Sequence, residues 1–288
     1  MSAAALRFTL GARTLASIPR RLRRVALSLD DALAGTPPPL PPLAPREDGY
    51  HLTSWPTAAL VPARGLLVQE RQRYARYYVD LAAGEAAWLA GLSGSTRSSL
   101  KRKTAKFAGG AAPDVRRYRT PEELAAFRPL ARAVSATTYQ ERLLDMGLPD
   151  DPRSLAEEAT LAAADRVRAW LLFLRDTPVA YLWGSAEGGT LRYEYVGHDP
   201  AHAALSPGTV LMRAALADLF ADRFTRFDFT EGESQQKRGL ASAGVDCVDL
   251  LLLRPTLANR AALAALAGWD ATVALGKRIA PGLKRLGR

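Results

Sequence analysis

Residues 167–198 form a three-strand meander, and this constrains the fold more than any other stretch of the chain. "VRAWLLFLRD" ends at a turn near Asp176-Thr177-Pro178, "PVAYLWGSAE" ends at the tight hairpin Gly188-Gly189, and "TLRYEYVGHD" is the third strand. The pattern then changes period. "SPGTVLMRAALADLFAD" is a helix with Ser206 as N-cap, Pro207 at the first helical position and Leu211, Ala214, Ala215 and Leu219 as its buried stripe. "RFDF" follows as a strand, with Phe227 and Phe229 on one face and Asp228 on the other. The crossover from 190–196 through this helix to 226–230 is long enough for parallel pairing. Antiparallel hairpins joined to a parallel crossover define an α/β domain with a mixed sheet.

The flanking segments fit that plan. Gly65–Leu81 carries strand-type residues, and "GEAAWLAGL" is a short helix. Ser95 or Thr96 is expected to cap a helix whose exposed face is Arg97, Lys101, Arg102, Lys103 and Lys106. "DVRRYR" is a short strand, Thr120 and Glu123 form a capping box with Pro121 in the first turn, and "SLAEEATLAAADR" is a further helix. "VDCVDLLLL" is a final strand, where Cys247, the chain's single cysteine, is expected as a buried structural thiol; one cysteine excludes an intrachain disulfide.

Toward the N-terminus, Leu22, Val25, Ala26, Leu29 and Leu33 recur at helical spacing and predict a basic helix over Pro19–Ala34. The proline-dense stretch from Gly35 to Gly49 reads as an extended linker. The expected organisation is a basic helical extension and linker over 1–48, a domain over 49–255 with halves 49–165 and 166–255, and one or two basic amphipathic helices over 256–288.

With 288 residues, 48% of them hydrophobic and 24% charged, the composition is that of an ordinary globular protein. The formal charge of +10 is unevenly placed. Residues 1–29 hold six arginines and no acid, and residues 254–288 hold seven basic side chains against Asp270 alone, so the body between is close to neutral. Basic ends on a neutral body favour peripheral contact with an anionic membrane over a body that binds nucleic acid. No run approaches the roughly 18 apolar residues of a membrane-spanning helix, and no secretory signal is evident. The expected location is the cytoplasm, with the basic ends free to meet the inner membrane face.

Candidate chemistry gathers where the third strand empties into the next helix. The helix start at Ser206, Pro207, Gly208, Thr209 and Val210, with its free amides and the helix dipole behind them, suits a phosphate or pyrophosphate, though Ser-Pro at a helix start is also simply good capping. Glu194 projects on the same face as Arg192 and reads either as a general base or as a half-exposed strand carboxylate paired to that arginine. Tyr193 or Tyr195 reads as a proton donor or as packing. His198 and His202 lie four apart, but Asp199-Pro200 intervenes and no third ligand is evident, so no metal is expected.

From about Thr96 to Lys237 the chain resembles the GNAT acyltransferase superfamily, in the branch of FemABX-like and CelD/BcsL-like proteins. "STRSSLKRKTAKFAGG", the run from Asp176 to Met212 and "RFDFTEGESQQK" carry the likeness. It implies a GNAT-like mixed sheet flanked by helices, in which two neighbouring strands splay around the pantetheine arm of an acyl-CoA. Mapped here, the gap lies between Leu191–Gly197 and Arg226–Thr230, with Val196 and Gly197 beside the donor and the pyrophosphate on residues 206–210. The corner after the Phe-Asp-Phe strand would border the acceptor, with Asp228, Glu231 and Gly232 positioning it beside Arg192 and Arg238, and with Lys237 holding a developing oxyanion or a substrate phosphate; the same residues also read as a solvated loop with local ion pairs.

The resemblance implies an N- or O-acyltransferase using acetyl-CoA or another acyl-CoA and no metal. Its acceptor would be a small molecule or glycan precursor of cell-envelope or exopolysaccharide metabolism. Of the superfamily's phosphate-loop pattern only Gly208 is matched, which keeps open a FemX-like ligase using aminoacyl-tRNA; the eight basic residues of 97–119 would suit tRNA. A non-catalytic GNAT-fold module at a membrane is the third reading.

Overall fold

A computed structural model of the chain describes residues 5–10, 13–109, 111–138 and 147–286. The chain forms two compact units, Met1–Tyr74 with Asp246–Arg288, and Ala75–Val245.

In the first unit β1 (Ala5–Leu10) and β2 (Arg13–Pro19) form an antiparallel hairpin. β3 (Leu22–Ala26) lies parallel to β4 (Gly49–Pro56), which pairs antiparallel with β11 (Ala243–Leu253). The helix expected over Pro19–Ala34 is therefore mostly absent. Residues 22–26 give their main-chain groups to β4, and only α1 (Leu29–Ala34) is helical, started by a capping box between Ser28 and Asp31. The apolar spacing that suggested one long helix instead serves a strand and a short helix in succession, so the regular structure in the described part of the N-terminal extension is mostly strand. The C-terminal segment is a single helix, α8 (Leu257–Leu286), whose Ala262, Leu263 and Leu266 pack with Leu6, Leu251 and Leu253. Cys247 is fully buried in β11.

In the second unit the sheet order is β5-β10-β9-β8-β7-β6, from residues 75–80 of β5 (Leu67–Asp80), β6 (Asp114–Tyr118), β7 (Val167–Leu174), β8 (Thr177–Glu187), β9 (Thr190–His198) and β10 (Arg226–Asp228). The meander β7-β8-β9 is antiparallel, and β10 is parallel to β9 and antiparallel to β5. This is the mixed α/β sheet that the sequence predicts.

One sheet face carries α2 (Glu85–Gly91), α3 (Gly94–Ala108) and α6 (Pro207–Phe220) over a core including Leu100, Leu182, Leu211, Phe227 and Phe229. The other carries α4 (Pro121–Ser135) and α5 (Pro152–Ala163) over Phe127, Val134, Leu171, Tyr181 and Trp183. Helix starts follow local chemistry: Thr120 and Glu123 box α4, Asp151 caps α5, and Ser93 rather than Ser95 or Thr96 caps α3. The polar segment after β10 closes as a short helix, α7 (Gln235–Leu240).

Candidate active site

The β9–β10 ladder is short. It matches Thr190, Leu191 and Arg192 with Arg226, Phe227 and Asp228 and then stops, while β9 continues to His198. The parting has a local cause. Phe229 donates its N–H to Tyr77 O of β5 at 3.0 Å, so the chain follows β5 for one more residue. Thr230 then takes a left-handed conformation (φ 58°), donates its N–H to Asp228 Oδ1 at 2.8 Å and its Oγ1 hydrogen to Tyr193 O at 3.2 Å. One hydroxyl thus stands where the next ladder bond would be. Tyr193, Phe227 and Phe229 brace the fork with ring centroids 5.2–6.1 Å apart, edge to face.

β9 is also irregular toward β8. Trp183 pairs with Tyr195 and Gly184 with Tyr193, which makes Glu194 the extra residue of a β-bulge. Gly184 permits the bulge: a Cβ there would lie 2.4 Å from Arg192 O. The bulge puts two successive side chains, Glu194 and Tyr195, on the α4/α5 face. With Arg192, Trp183 and Ser185 they line a cavity of about 410 Å³. Glu194 Oε1 accepts from Ser185 Oγ at 2.5 Å and lies 3.9 Å from Arg192 Nε. Burial, and then the charge of Glu194, push the Tyr195 phenol up, so it keeps its proton at neutral pH.

On the opposite face a second cavity, of about 400 Å³, lies among α3, α6 and α7, lined by Thr96, Ser99, Lys103, Thr209 and Gln236. Lys103 Nζ is 3.4 Å from Thr209 Oγ1, and Lys106 Nζ donates to Ala204 O at 3.0 Å, so the basic face of α3 reaches the start of α6. That start departs from expectation. Ser206 is left-handed (φ 55°), makes no side-chain cap and donates its N–H to Ala203 O; Pro207 has no N–H; Thr209 and Val210 donate theirs to Ser206 O. Gly208 is left as the segment's main-chain donor for an anion, and a Cβ there would meet only His198 Nδ1, at 3.6 Å. Val196 and Gly197 lie on the unladdered part of β9, and Gly197 fits against Tyr181 and Thr138.

The corner after β10 differs more. Asp228, expected to position an acceptor, is fully buried and bound by Arg76 and the Thr230 amide, so it fixes the strand end. Arg238, expected at the substrate, is held by Glu233 at 2.9 Å and the Tyr77 hydroxyl at 2.9 Å. Lys237 donates to the carbonyls of Glu231 and Gly232 at 2.8 and 3.2 Å, with its ammonium 5.8 Å from the Tyr193 ring centroid. Burial lowers its pKa. Lys237 thus fastens the loop beside the fork, Gly232 supplies a positive φ of 85°, and the exposed Glu231 side chain lies outside both cavities.

Sequence reasoning missed Trp183, Ser185, Arg76 and the inner face of α3. Thr96, Ser99 and Lys103 recur at helical spacing, a signal present in the sequence, where Thr96 is read as a candidate cap and Lys103 as part of an exposed basic face.

A mixed sheet that forks beside a bulged, carboxylate-bearing strand, with polar cavities on both faces, is the architecture of a GNAT-type acyltransferase. The family model described as "Acetyltransferase (GNAT) domain" matches residues 94–238, half of the chain, and the protein belongs to that family. No curated protein sequence matches.

Among solved structures, the C-terminal domain of a candidate lysylphosphatidylglycerol synthetase from Agrobacterium fabrum superposes with a TM-score of 0.52 at 12% identity, covering 78% of this chain and 72% of that one. A conserved protein of unknown function from Bacteroides thetaiotaomicron VPI-5482 gives 0.51 at 13% identity, covering 71% and 70%. FemX gives 0.48 at 11% identity, covering 73% of each chain. At such identities the likeness is one of fold.

Proposed function

We propose that the protein transfers an acyl group, acetyl in the first instance, from acyl-CoA to an amine or hydroxyl of a small molecule or glycan precursor. The observation that carries this reading is the fork: β9 leaves β10 after Arg192–Asp228 and offers an open edge between the two cavities. In this reading the donor's arm lies along Tyr193–Gly197, and Lys103, Thr209 and the Gly208 amide hold its pyrophosphate. Main-chain donors of the open edge polarise the thioester carbonyl.

The acceptor occupies the cavity on the α4/α5 face. Its nitrogen, relieved of a proton by Glu194, attacks the carbonyl carbon. The C–N bond forms, the C–S bond breaks, and the departing thiolate takes a proton from Tyr195. Arg192 orients the acceptor, and Lys237 and Gly232 shape the loop beside the fork. A role in cell-envelope or exopolysaccharide assembly in the cytoplasm fits the family branch. Among the described residues no helix is long and apolar enough to cross a membrane.

Thermal-shift measurement with acetyl-CoA, desulfo-CoA and bulk tRNA tests the donor. Stabilisation by both CoA compounds is expected. A salt-sensitive response to tRNA alone would transfer the reading to aminoacyl transfer, and silence toward all three would leave a binding module.

A further inference from the structure

The cavity on the α4/α5 face contains two buried hydrogen-bond donors with no acceptor among the described residues: the indole N–H of Trp183 and the Nε–H of Arg192. Trp183 is 5% exposed, and its ring packs on Tyr195 at 5.6 Å. An unpaired buried donor costs about 1–3 kcal/mol, and two of the three such side-chain atoms among the described residues belong to residues that line this one cavity. Of the other cations there, Arg128 is paired to Glu158 at 2.7 Å, while the exposed Arg166 gives only its Nε, to Ala186 O at 2.8 Å. Arg192 faces Glu194 only at 3.9 Å, beyond hydrogen-bond reach.

The same cavity has anionic capacity to spare. Glu194 holds one hydroxyl hydrogen, from Ser185, and Glu157 and Glu187 stand exposed at the rim. Donors without a hydrogen-bond acceptor therefore sit beside a carboxylate that is only loosely paired, Glu194 lying 3.9 Å from Arg192 and accepting one hydrogen from Ser185. A volume of about 410 Å³ is at the small end of ligand pockets.

We infer that the acceptor is an amine that carries a carboxylate on the adjacent carbon, an α-amino acid or a terminus of that kind: Trp183 Nε1 and Arg192 Nε take the carboxylate, and Glu194 takes the ammonium. Trp183 and Arg192 are in this respect specificity-determining residues. The inference rests on the acyltransferase reading for its reaction, and on the two orphan donors for its substrate class.

The test is isothermal titration of the full chain, without donor, against the twenty standard α-amino acids, with the decarboxylated amine and the deaminated acid of each binder as controls. Saturable binding of at least one amino acid is expected, with both controls weaker by about tenfold or more, the loss of one hydrogen bond to a charged group. Trp183→Phe, which keeps the ring and removes the N–H, and Arg192→Met, at a half-exposed position, are each expected to bring the amino acid's affinity down to that of its amine. Amines binding as tightly as amino acids would overturn the inference, as would absence of amino-acid binding by protein that still binds acetyl-CoA. Amino-acid binding without acetyl-CoA binding would uphold the site and sink the acyltransferase reading instead.

Discussion

Arg76 and Asp228 form a two-pronged ion pair sealed from solvent, Nη2 to Oδ2 at 2.6 Å and Nε to Oδ1 at 3.2 Å, with side chains 3% and 0% exposed. The pair ties β5 to the last residue of β10, where the fork begins, and Asp228 also accepts the Thr230 amide that turns the chain aside. An acid at a strand end in the sequence looks like chemistry; here it holds the fork open.

Asp228→Asn should therefore act on stability before it acts on turnover. Removing one member of a buried pair costs about 3–5 kcal/mol because the other charge is left unmatched. Urea denaturation should show a midpoint reduced accordingly, and Arg76→Met, which leaves the buried Asp228 carboxylate unmatched, should lower it in the same way. A near-neutral effect of Asp228→Asn on the midpoint would show that the pair does not fasten the fork.

Glu194→Gln keeps the oxygen that accepts from Ser185 and removes the base. We expect kcat to drop by roughly 10²–10⁴ with unchanged melting and unchanged KM for the donor. Steady-state kinetics with acetyl-CoA and the acceptor class inferred above check this, and full retention of kcat would remove Glu194 from the proton pathway.

The donor side should respond in KM. Lys103→Met removes a charge at the start of α6, and Gly208→Ala adds a methyl that the protein itself accommodates, its one neighbour being His198 at 3.6 Å. Each is expected to raise KM for acyl-CoA by roughly tenfold, the scale of one charge-assisted hydrogen bond, while circular dichroism and melting stay unchanged. Two unaltered KM values would place the donor elsewhere.

Acid stability should report Arg168, buried at the start of β7 between Asp165 and Asp222. The Arg168 hydrogen bond holds the Asp165 carboxyl below its ordinary value; burial pushes Asp222 up, but its bonds from Arg168 and the Arg223 amide outweigh this and leave it lowered as well. A lowered folded-state value means that the unfolded chain binds more protons. The stabilisation is thus complete above the ordinary carboxylate range near 4 and is lost as pH falls through the folded values. Urea midpoints measured from pH 6 to pH 2 should decline more steeply for the parent than for Asp222→Asn, with equal slopes as the contrary result.

The sheet and its parallel crossover were legible because alternation, glycine turns and a proline-started helix all agree between 167 and 230. The Gly188-Gly189 hairpin even implies the register that sets Ser185 opposite Arg192. Continued at period two, however, that register would set Trp183 opposite Glu194. The bulge changes the partner to Tyr195, and its only trace in the sequence is Gly184, whose need is seen once Arg192 O is in place. The N-terminal strand was illegible for a different reason: Leu22, Val25 and Ala26 satisfy helical spacing, and the partner that makes β3 a strand, β4, lies beyond a proline-rich stretch. Asp228 was misread because its neutralising charge, Arg76, is 152 positions away in sequence.

The bulge at Glu194 acts as a phase shifter in β9. Ahead of it, odd positions such as Tyr193 meet the α6 side; behind it, odd positions such as Tyr195 and Gly197 meet the α4/α5 side. Were β9 regular with Glu194 kept in the ladder, everything from Tyr195 to His198 would exchange its outlook, whereas excising that single residue would remove the bulge and leave their outlook as it is. Which face of the sheet each of these side chains serves is thus set by the count of residues in one strand as much as by their identity.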